Sequence, residues 1–374
     1  MKSLNADVIS SRSTLAGLTR ACALLLAALC VPATAAAQTT EFVELVSANA
    51  AGTGAGNNHS TLPQTSADGR FVVFTSDASD LVADDANGET DVFVRDLQTD
   101  TTRLVSVNAA GTGSGNGPSR LASLTPDGRF VIFQSEADDL VANDANGKAD
   151  VFVRDLQLDT TTLVSVNSAG TGSADADSQP GFFTPDGRYA VFTSAAGDLV
   201  AGVGGNQIVN VFRRDLQTGA TVCVSVNAAG TNGGNAASTA EGVTPDGRFV
   251  LFRSLASDIV ANDTNGTASD IFRRDLQTGT TALASVNSSG TGSGSAASDN
   301  GVMSDDGQVV AFESVATDLV PNPPPSPGFT FPLFPSIYAR DFAAGTTTLV
   351  SERQVLQGSV ATIPPARSPR ISAD

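Results

Sequence analysis

The stretch Asp68-Gly69 followed by Arg70 and Phe71–Ser76 (DGRFVVFTS) decides the reading of this chain, because its pattern returns four more times. Asp-Gly recurs at Asp127-Gly128, Asp186-Gly187, Asp246-Gly247 and Asp306-Gly307, in steps of 59, 59, 60 and 60 residues. Arg-Asp recurs behind it at Arg95-Asp96, Arg154-Asp155, Arg214-Asp215, Arg274-Asp275 and Arg340-Asp341. A fixed period of this length belongs to solenoids and propellers. It overrides the two or three domains that 374 residues would otherwise suggest.

Within one period the pattern gives four short strands. Residues 62–66 lead into Asp68-Gly69, a hairpin turn whose left-handed conformations these two residues tolerate. FVVFTS is apolar on both faces and so is expected between packed sheets. Residues 91–97 (DVFVRDL) alternate Val92 and Val94 against Phe93, and 101–107 (TTRLVSV) form the fourth strand. Phe74, Phe133, Phe192, Phe252 and Phe312 share one position, and Phe93, Phe152, Phe212, Phe272 and Tyr338 share another. Rings that recur once per unit fill the space between sheets. The fold expected is all-β: a β-propeller of four-stranded antiparallel blades. Its five complete repeats lie at about 60–107, 119–166, 178–226, 238–286 and 298–352.

Thr125-Pro126-Asp127-Gly128-Arg129, the strand Phe130–Ser135, the run Val151-Phe152-Val153-Arg154-Asp155 and the closing Thr162-Leu163-Val164-Ser165 resemble the repeat of TolB-like β-propellers. The resemblance covers residues 60–352 and implies the fold. It carries little about function, and the N-terminal domain of TolB itself has no counterpart here. The prolyl-oligopeptidase family has similar propellers, but its hydrolase domain has no counterpart in this sequence either.

The ends of the chain carry partial units. Residues 40–54, with an orphan fourth strand at 40–48, resemble 101–113, and 368–374 resemble a first strand that stops at the turn Asp374. Pairing those orphan strands in one blade would require a longer chain, by about 28 residues, and six blades in all. Residues 1–37 read as a signal peptide: Lys2, Arg12 and Arg20, an apolar run at 21–31, and Ala35-Ala36-Ala37 before a cleavage at Gln38. The apolar run is too short for a transmembrane helix, and Leu29 before Cys30 argues against lipoprotein processing. The propeller is then 38–374, periplasmic or extracellular, with no membrane span after cleavage. Only Cys223 of the three cysteines is left in it, which precludes an intrachain disulfide.

Charge and chemistry narrow the function. Cleavage leaves 18 basic and 38 acidic residues, a net charge of −20, which excludes nucleic acid and anionic lipid as partners. His59 is the only histidine, so neither a Ser-His-Asp arrangement nor a zinc cluster has support. No catalytic constellation emerges. The recurrent Asp80, Asp139, Asp198, Asp258 and Asp318 are expected to tether loops through backbone N–H groups. The pattern Asp-x-Asn-Gly-x-x-Asp is one candidate site: Asp85, Asn87 and Asp91; Asp144, Asn146 and Asp150; and, one residue longer, Asp263, Asn265 and Asp270. Oxygen side chains at alternate positions around a Gly turn can wrap calcium, and equally make a solvated Asn-Gly turn. It loosely resembles the calcium loops of integrin-type propellers. Unit 3 (202–210) lacks the acids, and unit 5 replaces the loop with the Pro-rich 321–335.

In an antiparallel blade, the connections after the second and fourth strands emerge together. They form a long-looped acidic face opposite the short turns. The expectation is a non-catalytic binding scaffold that engages a protein, peptide or glycan on that face and requires no cofactor. The alternatives are a calcium-dependent surface or adhesion propeller, and a lyase or hydrolase using channel carboxylates.

Overall fold

The computed structural model describes residues 43–203, 207–321, 335–351 and 369–371. The expected signal segment 1–37, most of the insert at 321–335 and most of the segment 368–374 lie outside them. The described residues form five sheets of four antiparallel strands, each in the spatial order first-second-third-fourth. No helix among them is long and apolar enough to cross a membrane.

In blade 1 the strands are Ser60–Thr65, Phe71–Ser76, Asp91–Asp96 and Thr101–Leu104. The others occupy 119–163, 178–223, 238–283 and 298–349. The fourth strand is shorter than the sequence suggests, because the chain leaves the ladder after Leu104 to start the next connection. Each first strand carries an irregularity, with Leu62, Leu121 and Asn300 at positive φ in blades 1, 2 and 5. The extra residue bends the strand where the blades converge. First strands of successive blades pack against one another along the inner side.

Alternation along the two central strands produces two unlike faces. Phe74 and Phe93 are cross-strand partners and lie stacked on one face, while Val73, Val92 and Val94 lie on the other. The ring pair recurs in all five blades, with centroids 5.4 to 6.1 Å apart. The valine face of blade 1 packs on Phe133 and Phe152 of blade 2, and the three later junctions repeat the arrangement. Burying each ring fully contributes about 2–3 kcal/mol. The recurrent rings are therefore core.

Segment 46–56 stands to blade 1 as 105–115 stands to blade 2. Ala48 bridges Ala55 as Val107 bridges Ser114, and Ala50 N–H donates to the Asp80 carbonyl as Ala109 donates to that of Asp139. Val46 packs on the Phe74–Phe93 pair. Residues 43–45, part of the expected orphan strand 40–48, carry no strand, and Val43 is fully exposed. A strand forms only beside a partner, and among the described residues no third strand lies next to them.

The Asp-Gly turn has a second duty besides reversing the chain. Gly128 has φ of 71°, and a Cβ there would lie 2.3 Å from the Phe71 ring of the preceding blade. Gly187 seats Phe130, Gly247 seats Tyr189 and Gly307 seats Phe249 in the same way. Gly170 has a similar φ of 70° but open space around it. Gly187→Ala is therefore expected to cost about 3 kcal/mol, from backbone strain plus the clash, and Gly170→Ala about 1 kcal/mol from strain alone. Urea denaturation of the two variants checks the difference. Equal losses would show that the ring seat contributes nothing.

Candidate binding face

The short-turn end is built from one repeated set of polar contacts. Asp68 accepts the Ser66 hydroxyl (2.6 Å) and the Arg70 N–H (3.0 Å), which fixes the turn. Arg70 then reaches the end of the third strand and grips Asp96 with two parallel bonds, Nε to Oδ1 at 3.0 Å and Nη2 to Oδ2 at 2.6 Å. Arg129–Asp155, Arg188–Asp215 and Arg248–Asp275 repeat the grip. Each of these arginines also lies over the ring that follows it, 4.5 to 4.7 Å from the centroid. The two recurrent motifs of the sequence, Asp-Gly-Arg and Arg-Asp, are thus halves of one clamp. Their arginine partners hold Asp96, Asp215 and Asp275 well below the ordinary carboxylate range, with Asp215 at about 2. Blade 5 has Gln308 in the arginine's place.

The long-loop end is organised by acids that bind backbone. Asp80 Oδ1 accepts the Asn57 N–H at 2.9 Å. Asp139, Asp198, Asp258 and Asp318 do the same for the N–H groups of Asn116, Asp175, Asn235 and Ser295. These five acids are loop tethers. In the Asp-x-Asn loops, Asn87 donates to Asp91 Oδ2 (2.8 Å) and to the Gly115 carbonyl (2.8 Å), while its own oxygen accepts the Glu89 N–H (2.8 Å). Ser106 donates to the other Asp91 oxygen. Asn146 and Ser165 treat Asp150 in the same manner. In blade 4, Asn265 bonds the Gly294 carbonyl and Ser285 bonds Asp270. Burial pushes Asp91, Asp150 and Asp270 up to about 7, and raises Asp85, Asp144 and Asp263 as well. The structure therefore brings two acids together in each loop, Asp85 with Asp91, Asp144 with Asp150 and Asp263 with Asp270. It does not bring the three loops to one place. No group of three or more His, Cys, Asp or Glu side chains among the described residues is arranged to hold a metal ion.

The inner strands hold a third set, which sequence reasoning missed. Arg253 Nη1 donates to Asp299 of the next blade at 2.9 Å, and its Nε lies 4.0 Å from Glu241. Ser269 donates to the same Asp299 oxygen at 2.8 Å. Burial pushes Glu241 up to about 7 against the pull of Arg253. The signal was present in the repeat, as a failure to repeat. Counting from each Asp-Gly turn, the position of Asp299 holds Thr61, Arg120, Gln179 and Thr239 in the other blades. The position of Arg253 holds Thr75, Gln134, Thr193 and Glu313. The Asp299 position lies at the long-loop end of the first strand and the Arg253 position at the same end of the second.

Candidates for nucleophilic chemistry are poor. His59 is exposed and bonded to its neighbour Asn58. Cys223 is buried, and desolvation pushes its thiol up to about 12.

Five four-stranded antiparallel blades, each turned by Asp-Gly, match the repeat read from the sequence. The fold is an all-β propeller of four-stranded antiparallel blades. No family model matches the chain, and no curated protein matches it by sequence. Solved structures similar to this chain include TolB from Acinetobacter baumannii, at 16% identity over 78% of this chain and 53% of that one, TM-score 0.38. A putative TolB from Agrobacterium tumefaciens has 16% identity over 78% of this chain and 80% of that one, TM-score 0.40. An acylaminoacyl peptidase from Pyrococcus horikoshii has 12% identity over 78% of this chain and 39% of that one, TM-score 0.40. The chain spans about half the length of the Acinetobacter TolB. At these identities the likeness concerns the fold.

The two kinds of acid give the propeller opposite pH responses. Clamped carboxylates have lowered folded-state values, so their contribution is present above the unfolded value near 4 and is lost as pH falls below it. Glu241 is raised, so its contribution is fully present below about 4.3 and is lost as pH rises through about 7. Melting temperature is expected to fall on the acid side from pH 4 to 2, less steeply in Arg188→Gln. It is also expected to fall between pH 5 and 8, less steeply in Glu241→Gln. Unchanged slopes in the two variants would contradict these assignments.

Proposed function

We propose that this protein is a non-catalytic binding scaffold that acts in the periplasm or outside the cell. In this reading it engages a protein, peptide or glycan on its long-loop end. The segregation of charge between the two ends carries it. Among the described residues, the short-turn end pairs acids with clamped arginines in four blades, whereas the long-loop end has many acids and few cations, among them Arg120, Lys148 and Arg253. Arg120 is paired with Glu136, and Arg253 with Asp299. An end of one sign attracts partners of the other and hastens their encounter.

The inner strands supply the second support. A repeat built only for structure keeps its residues from blade to blade, as the ring and tether positions do here. At the long-loop end of the first strands one position instead varies, holding Thr61, Arg120, Gln179, Thr239 and Asp299, where a ligand would meet side chains of different charge. The single histidine is exposed, and the Cys223 thiol is buried and held protonated by desolvation, so neither supports nucleophilic chemistry.

Charge reversal tests the reading. Asp84→Lys with Glu89→Lys, both on exposed loop residues, is expected to reduce capture of the natural ligand from envelope extract at least tenfold. Gln217→Lys with Gln277→Lys, on the short turns, is expected to leave capture unchanged. Equal effects from the two pairs would refute the assignment of the binding end.

A further inference from the structure

The three Asp-x-Asn loops differ from the rest of the molecule in one respect. Every buried carboxylate or carboxamide oxygen that lacks a hydrogen-bond partner among the described residues lies in one of them. These are Asp85 Oδ1 in blade 1, both Asp144 oxygens in blade 2, and Asp270 Oδ2 with Asn265 Oδ1 in blade 4. Asp85, Asp144 and Asp270 are 7%, 5% and 0% exposed. The Ser114 and Ser173 hydroxyls stand beside Asp85 and Asp144 without a well-formed bond to the unpartnered oxygens. An unsatisfied buried oxygen is costly, and its recurrence in these three loops, on the first acid in blades 1 and 2 and on Asn265 and Asp270 in blade 4, calls for a shared kind of partner.

The five repeats provide an internal control. In blades 1, 2 and 4 an acid in the loop accompanies an acid at the head of the third strand. In blade 3, Val203 replaces the first and Asn210 the second. In blade 5 the same two places hold Pro323 and Ser336. Asn210 accepts the Ser225 hydroxyl as Asp91 accepts that of Ser106, so the hydrogen bond by itself does not require a carboxylate. The two acids come and go together. That is the behaviour of groups serving one occupant.

We propose that the loops 85–91, 144–150 and 263–270 are three equivalent calcium sites, one in each of blades 1, 2 and 4. The donors are all oxygen, which selects a hard cation and disfavours zinc or copper. Two carboxylates match a divalent charge, and loop carbonyls and water complete the coordination, as calcium tolerates. Each carboxylate oxygen has two acceptor positions, so Asp91 can keep its Asn87 and Ser106 bonds and still face an ion. With only two acids per site, affinity is expected in the range of extracellular modules, about 10⁻⁴ to 10⁻³ M. The ion would tie each long loop to the connection that follows it, at the end proposed for binding. The inference stands whether or not that end has a partner.

The test uses the full chain stripped with chelator. Calorimetric titration with calcium chloride is expected to give close to three sites per chain. Calcium at 10 mM is expected to raise the melting temperature by several degrees over magnesium chloride at equal ionic strength. Asp144→Asn is expected to lower the stoichiometry to two. Absence of both heat and a calcium-specific melting shift in the unmodified protein would overturn the proposal, and would leave each acid pair sharing a proton. A stoichiometry unchanged in a folded Asp144→Asn protein would overturn it too.

Discussion

The ring that opens the second strand of one blade rests on the Asp-Gly turn of the next, and the order of the blades depends on that contact. Tyr189 shows it fully: Gly247 lies on one side, and Arg188 and Arg213 lie over the ring at 4.7 and 4.3 Å. The glycine is held in place by its own turn, and the arginine by its two bonds to Asp215. Turn, ring and clamp are therefore one device, which joins hairpin geometry to the docking of blades. Blade 5 loses two of its parts together, with Gln308 for the arginine and Val309 for the ring. Their joint loss suits a clamp whose purpose is to present the ring.

Fixing the blades from the short-turn end leaves the other end free to differ. Its loops are long, yet they are not loosely held, because each is bound by an Asp carboxylate to the preceding connection. Tethering removes the need for regular structure there and lets the loop residues vary. It also explains why so many acids at that end are structural rather than chemical. An Asp that accepts backbone N–H groups is a substitute for a missing ladder.

Inner strands combine the two tendencies. Their backbone is set by the ladder, by an irregularity in every blade and by a recurrent opening serine bonded to the second strand, but the residue that follows the serine is not repeated. Arg253, Glu241 and Asp299 form a cluster that spans blades 4 and 5, with one guanidinium between two carboxylates. Such a cluster exists only because neighbouring blades differ.

The sequence by itself determined the blade count it contains, the turn positions, the core rings and the tethering acids. Each of these is a local pattern copied five times, and repetition separates it from noise. It also placed the acids of the Asp-x-Asn loops but could not say whether they were solvated or buried. Burial, the unpartnered oxygens and the clamp between Arg70 and Asp96 were decided by tertiary structure. They depend on how far a side chain reaches across a sheet and on what the next blade lays over it. The Glu241–Arg253–Asp299 cluster was least visible for the same reason: Arg253 and Asp299 are 46 residues apart in the chain and meet only when blade 5 packs on blade 4.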